Sequence, residues 1–123
     1  MNILKKLFAP KPPVDIFAER RKIAIKFLAK LKPEEYDPET YGSPTAPKCL
    51  IGWMPHMFPT EFVWGGFEPY WLKKPDLAPF RSTSEFLGLP PTPTASRIFF
   101  LPKEELIQVL INTRTSNDLP QTS

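Results

Sequence analysis

One histidine, His56, and one cysteine, Cys49, are the residues of this chain best suited to proton transfer or nucleophilic attack. Neither comes with the company such chemistry requires. His56 lies in Trp-Met-Pro-His-Met-Phe-Pro, a run with no carboxylate to orient its ring, and no Gly-x-Ser-x-Gly or Cys-with-His pattern supplies a nucleophile. His56 therefore reads as a packing residue with a polar edge, and Cys49 as a buried, inert thiol. One histidine and one cysteine cannot close a zinc site, and a lone cysteine forms no internal disulfide. Glu34, Glu35, Asp37 and Glu39 lack the glycine and regular oxygen spacing of a calcium loop, so they read as a solvated acidic face. Gly65-Gly66 is not followed by the Gly-Lys-Ser/Thr of a phosphate loop. The expectation is a protein without catalytic residues, metal or organic cofactor, one that works by contact.

Two features point to what such contacts would be. Between Trp53 and Phe80 the chain holds all three of its tryptophans, four phenylalanines and a tyrosine, together with five prolines. Each ring brings roughly 150–250 Å² to bury, while prolines this frequent oppose a long helix or a central strand. The block is expected to present anchors for a partner protein, namely Trp53, Phe58, Trp64, Tyr70 and Trp71, with at least two of these rings exposed in one apolar patch. Proline-stiffened loops would lower the ordering cost on binding.

The second feature is charge asymmetry. Residues 1–32 carry a net charge of +7 and residues 33–123 a net charge of −4. Arg21, Lys22, Lys26 and Lys30 are the candidate contacts to an acidic partner, an anionic membrane surface or nucleic acid, unless the basic helix that carries them docks on its own acidic body. Nucleic acid is the weaker fit, because the aromatic block is poor in basic residues. The run PPTPTAS also stands where a helix-turn-helix spanning residues 82–112 would need its reading helix. The runner-up function is thus a peripheral membrane or nucleic-acid-associated protein acting through the N-terminal helix. The favoured one is a non-enzymatic accessory or structural subunit of a larger assembly.

The elements that would hold these residues form an irregular α+β fold. Asp15 as N-cap and Pro33 as stop bracket one long amphipathic helix over 15–31. Its buried face is expected to hold Ile23, Phe27 and Leu31, with Lys22, Lys26 and Lys30 exposed on one flank; Arg20, inside the apolar arc, is expected to snorkel. Residues 49–52 and 61–64 are short strand candidates with a turn at Gly65-Gly66, and Ser82 or Thr83 would start a helical turn that Gly88 ends. A C-terminal strand over 97–101 leads to Pro102 and a segment that is either helix or strand at 106–111. The expected organisation is a flexible lead at 1–13, a single small domain at 14–112 and a disordered tail at 113–123. No apolar run reaches the ~18–20 residues of a membrane span, and the start lacks the apolar core of an export signal. An intracellular protein, soluble or peripheral and not exported, is therefore expected.

Overall fold

The computed structural model describes residues 15–90 and 93–113; the lead at 1–13 and all of the tail but Thr113 lie outside the described residues. The described chain mixes four α-helices with two small two-stranded antiparallel sheets, an α+β arrangement. Helix α1 spans Ile16–Lys30. Its start is set by Asp15, whose Oδ1 accepts from the amides of Phe17 (3.0 Å) and Ala18 (3.1 Å). Its end is set by Leu31, already extended, two residues before Pro33.

The buried stripe of α1 runs through Arg21, Ala24, Leu28 and Leu31, with Phe27 half-buried. Ile23, expected inside, is 47% exposed. The periodicity identified an apolar arc, but the centre of that arc is set by the neighbours, and α1 packs against later helices along the Arg21/Ala24/Leu28 line.

The acidic connection closes on itself. A 3-10 turn over Pro33–Glu35 is capped by Glu35, whose Oε1 accepts from the Lys32 amide at 2.8 Å. The two-residue strands β1 (Gly42–Ser43) and β2 (Ala46–Pro47) pair, and the Asp37 amide donates to the Lys48 carbonyl at 2.9 Å. Residues 50–57 then form helix α2 (Leu50–Met57), although 49–52 read as a strand. Five of its eight residues are buried, and an apolar run this short takes its shape from what it packs on. Gly52 allows the approach: a Cβ there would stand 2.1 Å from the Tyr41 carbonyl oxygen.

Strands β3 (Phe62–Gly65) and β4 (Glu68–Trp71) form a hairpin in the register Phe62–Trp71, Val63–Tyr70, Trp64–Pro69 and Gly65–Glu68. Gly66 takes φ +80° at the first position of its two-residue loop, the pattern of a type II′ turn. Helix α3 (Pro79–Leu87) begins three residues before Ser82, with proline in its first turn, and ends at Gly88 in the left-handed region with φ +70°.

Residues 97–101, expected as a strand, instead continue 3-10 turns over Pro93–Phe100. Both sheets are local hairpins, so a strand here meets no partner among the described residues, whereas turns put Phe99 in the core and Phe100 outside. The ambiguous segment resolves as helix α4 (Lys103–Asn112), with Leu106 and Leu110 buried against α1. Pro102 stands one residue before the first helical position. Lys103 Nζ donates to the Leu31 carbonyl at 2.6 Å, placing a cation at the negative end of α1.

Candidate interaction surface

The aromatic block divides according to the pleat of the hairpin. Phe62, Trp64, Pro69 and Trp71 share one face, and Val63, Tyr70 and Leu72 the other. The inward rings meet Phe58 and Phe86 in one cluster. Phe86 lies edge-on to Phe58 (4.8 Å), Phe62 (5.0 Å) and Trp71 (5.4 Å), and Phe62 stacks on Trp71 at 6.1 Å. These are the preferred geometries of ring quadrupoles.

The five proposed anchors are thereby absorbed into the fold. Phe58 and Trp71 are buried, and Trp53, Trp64 and Tyr70 are half-buried. Each indole N–H has an acceptor: Trp53 the Glu35 carbonyl at 3.0 Å, Trp64 the Gly52 carbonyl at 3.2 Å and Trp71 the Glu61 carboxylate at 3.3 Å. The Tyr70 ring lies across Gly65, where a Cβ would stand 2.3 Å from it. The expectation that at least two of the five stand substantially exposed is not met. A short α+β chain covers the three tryptophans because each indole N–H finds a backbone or carboxylate acceptor, so their burial costs no unpaired donor.

The ring left outside is one the sequence reading passed over. Phe67, at the turn after Gly66, is 94% exposed. Leu72 is 51% exposed and Val63 is also exposed, both on the outward face beside Tyr70. The signal was present: Gly65-Gly66 marks a turn, and a large apolar residue in a two-residue turn cannot reach the core below it.

The basic candidates also divide. Lys22, Lys26 and Lys30 are exposed, and Lys22 Nζ lies 3.7 Å from Glu19 in a solvated pair. Arg21, expected on the contact surface, is buried, and its Nη1 donates to the Leu87 carbonyl at 2.8 Å. Arg20 Nη1 donates to the Phe86 carbonyl at 3.0 Å, and its guanidinium sits 3.8 Å over the Phe86 ring. Burial holds the Arg20 pKa below its ordinary value, with Glu61 acting in the opposite sense. Together the two arginines serve carbonyls that the end of α3 leaves open.

A second aromatic cluster surrounds Phe80, with ring centroids 6.2 Å from Tyr41 and 5.7 Å from both Phe99 and Phe100. It opens to a cleft of about 340 Å³ lined by Glu39, Tyr41, Phe80 and Phe100, with Cys49 and Phe99 among its walls. Burial pushes the Cys49 thiol pKa up from its ordinary value. His56 is exposed; its Nε2 lies 3.0 Å from the Pro44 carbonyl and its ring edge-on to Trp53 at 5.2 Å. Among the described residues there is no group of three or more His, Cys, Asp or Glu placed to hold a metal ion, and no helix long and apolar enough to cross a membrane. Comparison of the chain with protein-family models, with curated proteins and with solved structures finds no match.

Proposed function

We propose that this protein is a non-enzymatic accessory or structural subunit that binds another protein through the tip and outward face of the β3–β4 hairpin. The observation that carries the reading is Phe67, a full aromatic ring held 94% exposed on a tight turn. Such a ring contributes nothing to its own core, and it is preorganised for a pocket on a partner, where aromatic anchors carry much of the binding energy. Trp53, Phe58, Trp64 and Trp71 then act as the scaffold that positions the hairpin, and Tyr70 with Leu72 extends its contact face.

The test replaces residue 67 with a photo-crosslinking phenylalanine analogue in the native source. A single stoichiometric protein adduct from position 67, matched at position 72 and absent from position 26, is expected. Adducts from position 26 alone overturn it. They would favour the second reading, in which the exposed Lys22, Lys26 and Lys30 stripe meets anionic lipid or nucleic acid; salt-sensitive co-sedimentation with anionic vesicles, lost on reversal of Lys22 and Lys26, would establish the lipid form of it.

A further inference from the structure

The molecule already shows how it satisfies one aromatic cluster: it lays the Arg20 guanidinium over the Phe86 face at 3.8 Å, with the Phe17 ring at 5.7 Å on another side. The Phe80 cluster has the same ring density, yet among the described residues no cation of the chain lies over any of its rings. Phe80 is tilted by 54° to Tyr41, 41° to Phe99 and 37° to Phe100, so ring faces are spread around the cleft and not stacked shut.

Among the described residues the charge lining the cleft has one sign: Glu39 lines it, and no described Lys, Arg or His does. Glu68, on the hairpin, is close enough that its charge adds to burial in raising the Tyr41 phenol pKa. Lys48, the basic residue nearest Tyr41 and Cys49 in sequence, sends its Nζ to the Glu34 carbonyl at 2.8 Å. An anion would find no cationic donor among the described residues lining the cleft, and a neutral apolar group would gain nothing from the carboxylates. A cation gains from both ring faces and carboxylates. A volume of about 340 Å³ is small for a ligand site, at the low end of the ~300–1,000 Å³ range, and suits a side-chain head group.

We propose that the Tyr41/Phe80/Phe100 cleft, with Glu39 at its edge, receives a weakly hydrated cationic side chain, an arginine guanidinium or a methylated lysine, presented by the partner protein. Weak hydration matters, because a compact ammonium loses more water than tilted rings and one or two carboxylates return. The source of the cation rests on the protein-binding reading above; the preference of the cleft for a cation does not.

The full chain is titrated by NMR with N-acetyl-trimethyllysine methylamide, N-acetyl-arginine methylamide and the neutral N-acetyl-norleucine methylamide. The expected result is saturable shifts centred on Tyr41, Phe80 and Phe100 with one or both cations. The neutral analogue should bind at least about tenfold more weakly. The better of the two cations identifies the head group. Phe100, 52% exposed, can be truncated without disturbing the fold, and Glu39 is exposed as well. Phe100→Ala and Glu39→Gln should each weaken cation binding severalfold while the amide spectrum elsewhere is unchanged. Equal binding of the neutral analogue, shifts centred elsewhere or no saturation with either cation overturns the proposal. Adducts from position 67 that persist through such a failure would leave the protein-binding reading standing. Saturation without adducts would keep the cleft and discard the protein source.

Discussion

Two aromatic clusters of similar ring content end in opposite states. The one around Phe86 is sealed. Phe62, Phe86 and Trp71 are buried, Trp71 has a hydrogen-bond acceptor for its N–H, and Arg20 caps the Phe86 face with a cation supplied from α1. The one around Phe80 has a buried wall, Phe99, but Phe100 stands half in solvent and the cleft beside it is open. The difference lies in the elements available. A helix, a hairpin and α1 converge on Phe86, whereas the Phe80 side is bounded by the Pro38–Tyr41 connection and the 3-10 turns, which carry too little bulk to close it. Ring content does not decide whether an aromatic cluster becomes core or surface; the neighbouring elements do.

Breaking the sealed cluster should cost most. Phe86→Ala is expected to lower stability by about 3–5 kcal/mol in urea denaturation, while Phe100→Ala costs under about 1 kcal/mol. Similar losses for both would erase the contrast between the clusters. Next comes the capping cation. Arg20→Ala removes a hydrogen bond and a cation–π contact, for about 1–2 kcal/mol, whereas Lys26→Ala on the solvent face stays within about 0.5 kcal/mol. Equal effects would mean that the guanidinium over Phe86 adds nothing.

Tyr36, half-buried between the acidic connection and the end of the 3-10 turns, donates to the Leu101 carbonyl at 2.9 Å. Burial first, then the charges of Cys49, Glu104 and Asp37, raise its phenol above the ordinary 10.0. A raised folded-state pKa means that the folded chain holds this proton more tightly than the unfolded one. The contribution is therefore complete below pH 10.0 and is lost as pH climbs above that value toward the folded pKa. Tyr36→Phe should cost about 1 kcal/mol at neutral pH and flatten the alkaline limb of a stability-versus-pH curve. An unchanged alkaline limb would show that another group governs it.

The smallest stability effect is expected where the functional effect is largest. Phe67→Ala should leave the urea midpoint within about 0.5 kcal/mol of the parent, since the ring touches little of its own chain, yet it should abolish partner capture. A destabilisation as large as that of Phe86→Ala would place Phe67 in the core and remove it as an anchor.

The local signals in the sequence were sufficient for the edges of several elements. Asp15 and Pro33 bracket α1, Gly65-Gly66 marks the hairpin turn, Gly88 ends α3, and the Lys22/Lys26/Lys30 stripe follows from helical period alone. Each depends on backbone geometry or on a partner within a few residues, so no distant contact can reverse it. Tertiary structure decided the rest. Cys49–Gly52 and Arg97–Leu101 are short apolar runs that read as strands, yet they form helix and 3-10 turns, because the strands among the described residues pair only locally. Arg21 reads as surface charge and Arg20 as a snorkelling residue within the apolar arc, but the open carbonyls of Phe86 and Leu87, 66 residues away, fix where both guanidinium groups go. Which rings stayed outside was likewise settled by strand register and by the acceptors each indole could reach, quantities that arise only when remote parts of the chain are brought together.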